Sequence, residues 1–361
     1  MHEVRIKTFE NWEKTKVSGY QRIIARSFGG PEVLEIEDMA ALPEPGEGEV
    51  RLRVEAAGVG FTDTILRRGR YVAYKGGLPL IPGYDSVGIV EAVGAGVSES
   101  WMGKRVADMP VSGSYSQVLI RPAETLVPVP GGVAPEAAVE VPLMWVTAWQ
   151  MLTRCVDLSA GDAVLVVGAS GSTGRALVQL SRHLGLRVVG TASAGKLDLV
   201  KSLGADPIDY RSDDLANAIR QASGGGVAAA FDAISAESWQ TSWDSLAKGG
   251  RLVAYGFQEF IDGEKPAEEA MKSQKLLTVE WPAQGQRDGT GRDTVFYNIQ
   301  ERRESHPEDY MEDAKHLLGL IASGKVVPPP AETLPLSAAA EAHRRIASGD
   351  SERRMVLQPN G

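Results

Sequence analysis

One cysteine, Cys155, and five histidines are the only thiol and imidazole ligands in this 361-residue chain. A single thiol excludes an internal disulfide and every zinc site built from several thiolates, and it suits a reducing compartment. His2, His183, His306, His316 and His343 show no metal-binding spacing and read as surface or helix residues, so no metal is expected. Basic excess is missing too: 38 Lys and Arg stand against 47 Asp and Glu, a formal charge of −9. Nucleic acid and anionic membranes are therefore not expected partners, because both are bound through clustered positive charge. No stretch reaches the roughly 20 apolar residues of a membrane helix, and the first 20 residues are too polar for a signal peptide. The expectation is a soluble, cytoplasmic, two-domain protein acting on a small molecule, since a domain takes roughly 150 residues.

Glycine is plentiful, with 40 residues, and its placement around Ala163–Arg182 organises the rest. Residues 163–168 form a β-branched apolar run suited to a strand buried on both faces. Gly168, Gly171 and Gly174 follow, and Leu177, Val178, Leu180 and Leu184 then mark one helical face. Strand, glycine turn and helix make a dinucleotide-binding unit. Unpaired N–H groups at the helix start meet the pyrophosphate, and glycine lets it approach without a Cβ. The strict G-x-G-x-x-G spacing is broken, because Ala169 takes the first glycine position. Ala169, Ser170, Gly171, Ser172, Thr173 and Gly174 are thus the candidate phosphate-binding residues.

Upstream, the chain reads as β-rich. Residues 1–19 form an extension, two β runs flank Phe28-Gly-Gly-Pro31, and Val50–Ala56 alternates apolar with charged residues at period two. Val59–Arg68 reads as a short helix and Ala137–Arg154 as a long apolar helical segment. Downstream, strands are expected at 163–168, 187–191, 206–209, 227–231 and 250–255, with helices at 173–184, 195–203, 212–222 and 236–247. Trp239 and Trp243, four apart, read as packing. Lys275–Trp281 reads as a further strand and Gln284–Asp293 as a mobile loop. Helices follow at Asp309–Ser323 and Leu336–Ala347, and Met355–Leu357 reads as a strand returning to the first domain.

An NAD-binding unit usually carries an acidic residue at the end of its second strand. Here that strand ends Gly190-Thr-Ala-Ser193, with Lys196 just after. A hydroxyl and an ammonium bind a 2′-phosphate that a carboxylate would repel, so the expected cofactor is NADPH.

Gly29-Gly-Pro-Glu-Val-Leu34, Pro43-Glu-Pro-Gly46, Ala57-Gly-Val59, Pro82-Gly-Tyr-Asp-Ser-Val-Gly88, Gly168-Ala-Ser-Gly171, Leu203-Gly-Ala-Asp206, Asp209-Tyr-Arg211 and Gly249-Gly-Arg-Leu-Val253 occur in this order. Together they resemble the zinc-independent quinone oxidoreductase branch of the medium-chain dehydrogenase/reductase family, over residues 21–358. The resemblance implies an α/β fold: a Rossmann doubly wound parallel sheet with a β-rich GroES-like catalytic domain. The implied division is an extension at 1–20, the GroES-like domain at 21–145 and 320–361, and the Rossmann domain at 146–319. A homodimer is implied as well.

Zinc-dependent relatives place Cys where this chain has Gly60 and His where it has Tyr84, and neither replacement is a zinc ligand of that kind. The resemblance assigns Ser193, Lys196 and Tyr210 to the 2′-phosphate, Thr147 to the nicotinamide, and Tyr255, Gly256 and Phe257 to its carboxamide. A further phosphate-binding Arg of relatives falls on Gly349, with Arg353 and Arg354 as the nearest substitutes. Tyr71 is the implied proton donor, with Asp63 as second candidate catalytic residue, and Phe61, Arg67 and Trp145 shape the substrate pocket. The family's usual Asn is replaced by Gly60. The implied reaction is hydride transfer from NADPH to a quinone or an α,β-unsaturated carbonyl compound. The alternative is a nucleotide-binding protein with a non-redox, cyclase-like or binding role.

Overall fold

The computed structural model describes residues 19–71, 74–256, 272–273, 275–349 and 353–361. The N-terminal extension, apart from Gly19 and Tyr20, and the expected carboxamide residue Phe257 lie outside the described residues.

Strands β1 (Tyr20–Ala25) and β2 (Leu34–Met39) form an antiparallel hairpin around the Gly-Gly-Pro turn, with Ala25 opposite Leu34. In β3 (Glu49–Gly58) the alternation is realised: Val50, Leu52 and Val54 are buried, and Arg51 and Arg53 point to the other face. Helix α1 (Phe61–Arg67) leads to β4 (Ser86–Val93), β5 (Arg105–Asp108), β6 (Val118–Pro122) and β7 (Val127–Pro128), all antiparallel to their neighbours. The apolar segment after Pro135 is not one helix. Pro142 lacks the N–H that an unbroken helix needs, and the segment divides into α2 (Pro135–Ala138), a π turn over Val141–Trp145 and α3 (Val146–Arg154).

From Ala163 onward strands and helices alternate. Strands β8 (Ala163–Val166), β9 (Arg187–Ala192), β10 (Asp206–Asp209), β11 (Val227–Asp232), β12 (Leu246–Ala254) and β13 (Asp293–Phe296) form a parallel sheet in the order β10-β9-β8-β11-β12-β13. This is the doubly wound order, whose direction reverses between β8 and β11 and leaves a crevice at their C-terminal ends. Helices α4 (Ser172–His183), α5 (Leu197–Ser202), α6 (Leu215–Ser223) and α7 (Ala236–Asp244) connect the first five strands.

The segment 275–293 departs from expectation. Its Leu-Leu-Thr-Val run forms a π turn at Leu276–Glu280, and α8 (Trp281–Arg287) runs from the end of the expected strand into the expected loop. The buried side chains Leu277 and Trp281 stand four apart, a helical spacing. Trp281 stacks on Trp243 at 5.7 Å and 12°, an aromatic contact that adds about 0.5–1.5 kcal/mol to plain burial. The sixth strand is Asp293–Phe296 instead.

Helices α9 (Ile299–Ser305) and α10 (Pro307–Ala322) precede β14 (Glu332–Pro335), α11 (Ala339–Ser348) and β15 (Met355–Gln358). Strand β15 pairs antiparallel with β3, Leu357 opposite Ala57, so the last described strand completes the first sheet. No helix among the described residues is long and apolar enough to cross a membrane.

Candidate cofactor cleft and active site

The glycine turn sits at the switch point. Gly168 takes φ +68°, the left-handed conformation that favours glycine, and Gly171 N–H closes back on its carbonyl at 2.9 Å. The first bond of α4 runs from Arg175 N–H to Gly171 C=O at 2.8 Å, so the N–H groups before it have no partner within the helix. A Cβ on Gly174 would stand 2.3 Å from the Gly168 carbonyl oxygen, so helix and strand touch there. Ala169 is tolerated because it faces Gly190 of β9, where any Cβ would come within 2.8 Å of its methyl group. The broken glycine spacing is thus compensated on the neighbouring strand. The turn opens onto a cleft whose wall includes Ser170, Gly171, Ser172, Phe61, Trp145 and Lys196. These features fit a dinucleotide, whose pyrophosphate could be held by the N–H groups of such a turn.

Ser193, Lys196 and Tyr210 are brought together at the tip of β9. Lys196 N–H bonds Ser193 C=O at 2.8 Å, and Tyr210 N–H bonds Ala192 C=O at 3.2 Å. The Lys196 ammonium reaches Gly349 C=O at 3.4 Å, and the Tyr210 ring is 53% exposed with the Arg211 guanidinium over it. Arg353 lines the same cleft. Arg354 lines it too but is corrected as a substitute phosphate ligand. Its guanidinium is buried between Asp85, at 2.6 Å, and Glu140, at 3.2 Å. A charge enclosed by two carboxylates is already neutralised, and removing one member of such a buried set costs about 3–5 kcal/mol.

Two expected active-site residues prove interior. Asp63 is buried, and its two oxygens accept the Gly60 N–H at 2.8 Å and the Gly83 N–H at 3.1 Å. Burial pushes its carboxyl up to about 7. The expectation of a catalytic Asp63 is corrected accordingly: it staples the start of α1 to the Gly83–Tyr84 backbone. Arg67 does not shape the pocket, because its Nε donates to Gly29 C=O at 3.0 Å and its Nη1 to His343 Nδ1 at 3.1 Å. Since Arg67 only donates, His343 is the neutral tautomer whose Nε2–H faces Tyr115 Oη at 3.1 Å.

Burial first, and then the Arg67 charge, lower the His343 pKa from 6.5 to about 3. The unfolded chain therefore binds one more proton than the folded one across that window, and stability falls as pH drops below 6.5. His343→Gln should flatten the dependence of unfolding free energy on pH between 3 and 6.5 by about 1.4 kcal/mol per unit. Urea unfolding at several pH values measures this, and parallel curves for the two proteins would refute it.

Tyr71 is the centre of a cluster that sequence reasoning missed. Its hydroxyl lies 2.7 Å from Tyr84 Oη, with the rings edge-on at 5.9 Å. The Gln300 amide, from the start of α9, donates to Tyr71 Oη at 3.0 Å and to Tyr84 Oη at 2.5 Å. Arg303 docks α9 by donating to Met109 C=O at 2.5 Å. The Tyr84 backbone is pinned as well. Its carbonyl accepts the Val111 N–H at 3.2 Å, and Val111 holds φ +74°. A β-branched residue there is strained by about 1–3 kcal/mol, and such strain gathers at functional sites.

Thr147 is buried on α3, the helix whose Gln150 Oε1 accepts the Tyr297 hydroxyl at 2.8 Å. Tyr255 and Gly256 follow β12, with Tyr255 N–H on Asp232 C=O at 3.1 Å. The sequence signal for Tyr84 was its place in Gly83-Tyr-Asp85, but nothing local pointed to Gln300 or Tyr297.

Comparison with known proteins gives matches over both sheets. Residues 46–131 match the family described as alcohol dehydrogenase GroES-like domain, and residues 203–357 match that described as zinc-binding dehydrogenase. A quinone oxidoreductase of Pseudomonas aeruginosa is 33% identical over 346 residues, covering 94% of this chain and 99% of that one. A 2-haloacrylate reductase of Burkholderia is 31% identical over 338 residues, covering 92% and 96%. Among solved structures, a Pseudomonas syringae quinone oxidoreductase superposes with TM-score 0.80 at 28% identity, covering 94% of this chain and 100% of that one. A mycobacterial protein solved in complex with NADPH gives TM-score 0.79 at 31% identity, with the same coverage of 94% and 100%.

Proposed function

This chain belongs to the quinone oxidoreductase branch of the medium-chain dehydrogenase/reductase family, and on that premise we propose that it reduces a quinone or the C=C bond of an α,β-unsaturated carbonyl compound. It is an oxidoreductase, and its cofactor is NADPH. The observation that carries the cofactor reading is the tip of β9, where Ser193 and Lys196 stand together beside the cleft in place of an acidic ribose ligand. The names of two relatives, quinone oxidoreductase and 2-haloacrylate reductase, support the acceptor class.

Bound NADPH supplies the hydride. The protein's own residues then do three things. The α4 N-terminus would hold the pyrophosphate and Lys196 the 2′-phosphate, Phe61 and Trp145 wall the cleft, and the Tyr71 phenol gives a proton to the α carbon of an unsaturated carbonyl acceptor. Zinc has no part in this reading. Gly60 has no side chain to offer, and the Tyr84 hydroxyl is committed to Tyr71 and Gln300, so the donor set does not fit the ion named in the matched family's description. The homodimer implied by the resemblance and the cytoplasmic location expected from composition belong to the same proposal.

Fluorescence titration with NADPH and NADH, followed by absorbance at the nicotinamide band with a panel of quinones and enones, tests the reading. Acceptor-dependent oxidation with a preference for NADPH supports it, whereas binding without oxidation of any acceptor would replace it with a non-redox role. Lys196→Ala is expected to raise the KM for NADPH about tenfold and leave that for NADH nearly unchanged, a loss of about 1.5 kcal/mol of charge-assisted binding. An equal effect on both cofactors would remove Lys196 from the 2′-phosphate.

A further inference from the structure

Tyr84 and Gln300 have no task in the proposed reaction so far, yet both are aimed at its proton donor. The Gln300 Nε2 carries two hydrogens and lies 3.0 Å from one phenol oxygen and 2.5 Å from the other, so each hydrogen is donated. The 2.7 Å contact between the phenols then uses only one O–H. One hydroxyl hydrogen is left over. Tyr84 is 1% exposed and Tyr71 is only partly buried, so the arrangement that aims this hydrogen outward has Tyr84 donating to Tyr71 and Tyr71 keeping its own proton for a third partner.

We propose that Tyr84 and Gln300 are positioning residues for the Tyr71 proton: they orient its O–H outward and supply two donors to the phenolate that remains after transfer. The inference rests on the reading of Tyr71 as the acid. In the step, the O–H bond of Tyr71 breaks and a C–H bond forms at the substrate's α carbon with that carbon's electron pair. The charge left on Tyr71 Oη is held by the Tyr84 hydroxyl and the Gln300 amide until water restores the proton.

The electrostatics agree with this direction of transfer. Burial raises both phenols, but the bonds from Tyr84 and Gln300 act to lower Tyr71, whereas the bond to Tyr71 acts to raise Tyr84. A negative charge on Asp63 disfavours either phenolate. The two donors work against that repulsion. Their placement is costly to build: Gly83 holds φ +105°, Val111 holds φ +74° on the Tyr84 carbonyl, and Arg303 fixes the helix that carries Gln300.

The test uses the full chain labelled with ¹³C at tyrosine Cζ, the Tyr71 resonance being assigned by its loss in Tyr71→Phe. Tyr84→Phe and Gln300→Leu should each move the Tyr71 ionisation upward and lower kcat about tenfold, the worth of one hydrogen bond to a charged group, with the Kd for NADPH unchanged. The kcat losses should vanish when Tyr71 is already Phe. Equal losses in both backgrounds, or a Tyr71 ionisation unmoved by either substitution, would overturn the proposal. A shifted ionisation together with full activity of Tyr71→Phe would instead keep the coupling and dismiss Tyr71 as the acid.

Discussion

Gly174→Ala is expected to weaken NADPH binding by more than about a hundredfold while the chain stays folded. The added methyl would stand 2.3 Å from the Gly168 carbonyl oxygen, 2.8 Å from Ala169 Cα and 3.0 Å from Ala169 C. All three are backbone atoms of the turn, so nothing flexible can yield. The start of α4 must move away from β8, and the N–H groups proposed to hold the pyrophosphate move with it. Hydrogen bonds to charged groups are worth about 1.5–3 kcal/mol each, so losing two accounts for the size of the effect. Gly319→Ala, within α10, is the control. Nothing lies within 4 Å of its added Cβ and it does not line the cleft, so the loss there should be small. Fluorescence titration measures both, with circular dichroism to verify folding. Near-native affinity in a folded Gly174→Ala protein would separate the turn from the cofactor.

Tyr71→Phe should lower kcat about a hundredfold with little change in NADPH affinity, the scale of a positioned general acid. Burial holds the Tyr71 phenol above its ordinary value, so the proton stays on through the neutral range. As a general acid it works only when protonated. The wild-type kcat should therefore be flat across neutrality and fall only on the alkaline side, as pH rises through that raised pKa. In Tyr71→Phe this alkaline limb should disappear along with most of the rate. Unchanged kcat would assign the proton to water.

Local pattern made the parallel sheet legible. The apolar run 163–166, the glycines after it and the 3.6-residue period of α4 are contiguous, and each carries its own signal. The place of Lys196 beside the cleft was readable for the same reason, just after a strand whose position in the sheet follows from its order. The segment 276–287 misled because leucine, threonine and valine suit a strand, and only the stacking of Trp281 on Trp243 decides for a helical arrangement. Long-range placement was not legible at all. Gln300 lies 229 residues from Tyr71, and Arg354 lies 269 from Asp85, so no window of sequence contains either pair. Asp63 and Arg67 show the opposite error. Charged residues beside a family motif read as site groups, but hydrogen bonds to backbone and to His343 had turned them inward.

The pairing of β15 with β3 also orders the birth of the molecule on the ribosome. Every strand of the parallel sheet has been synthesised once Phe296 is made, whereas β3 waits for Val356 and Leu357, almost three hundred residues downstream. Until then one border of the first sheet is unfinished, and Asp85 and Glu140 lack the cation of Arg354 that joins them. The nascent chain thus carries a completed nucleotide half beside an open β half, with two carboxyls stranded at the seam. Closure, counter-charge and one wall of the cleft all arrive together, between Arg353 and Leu357.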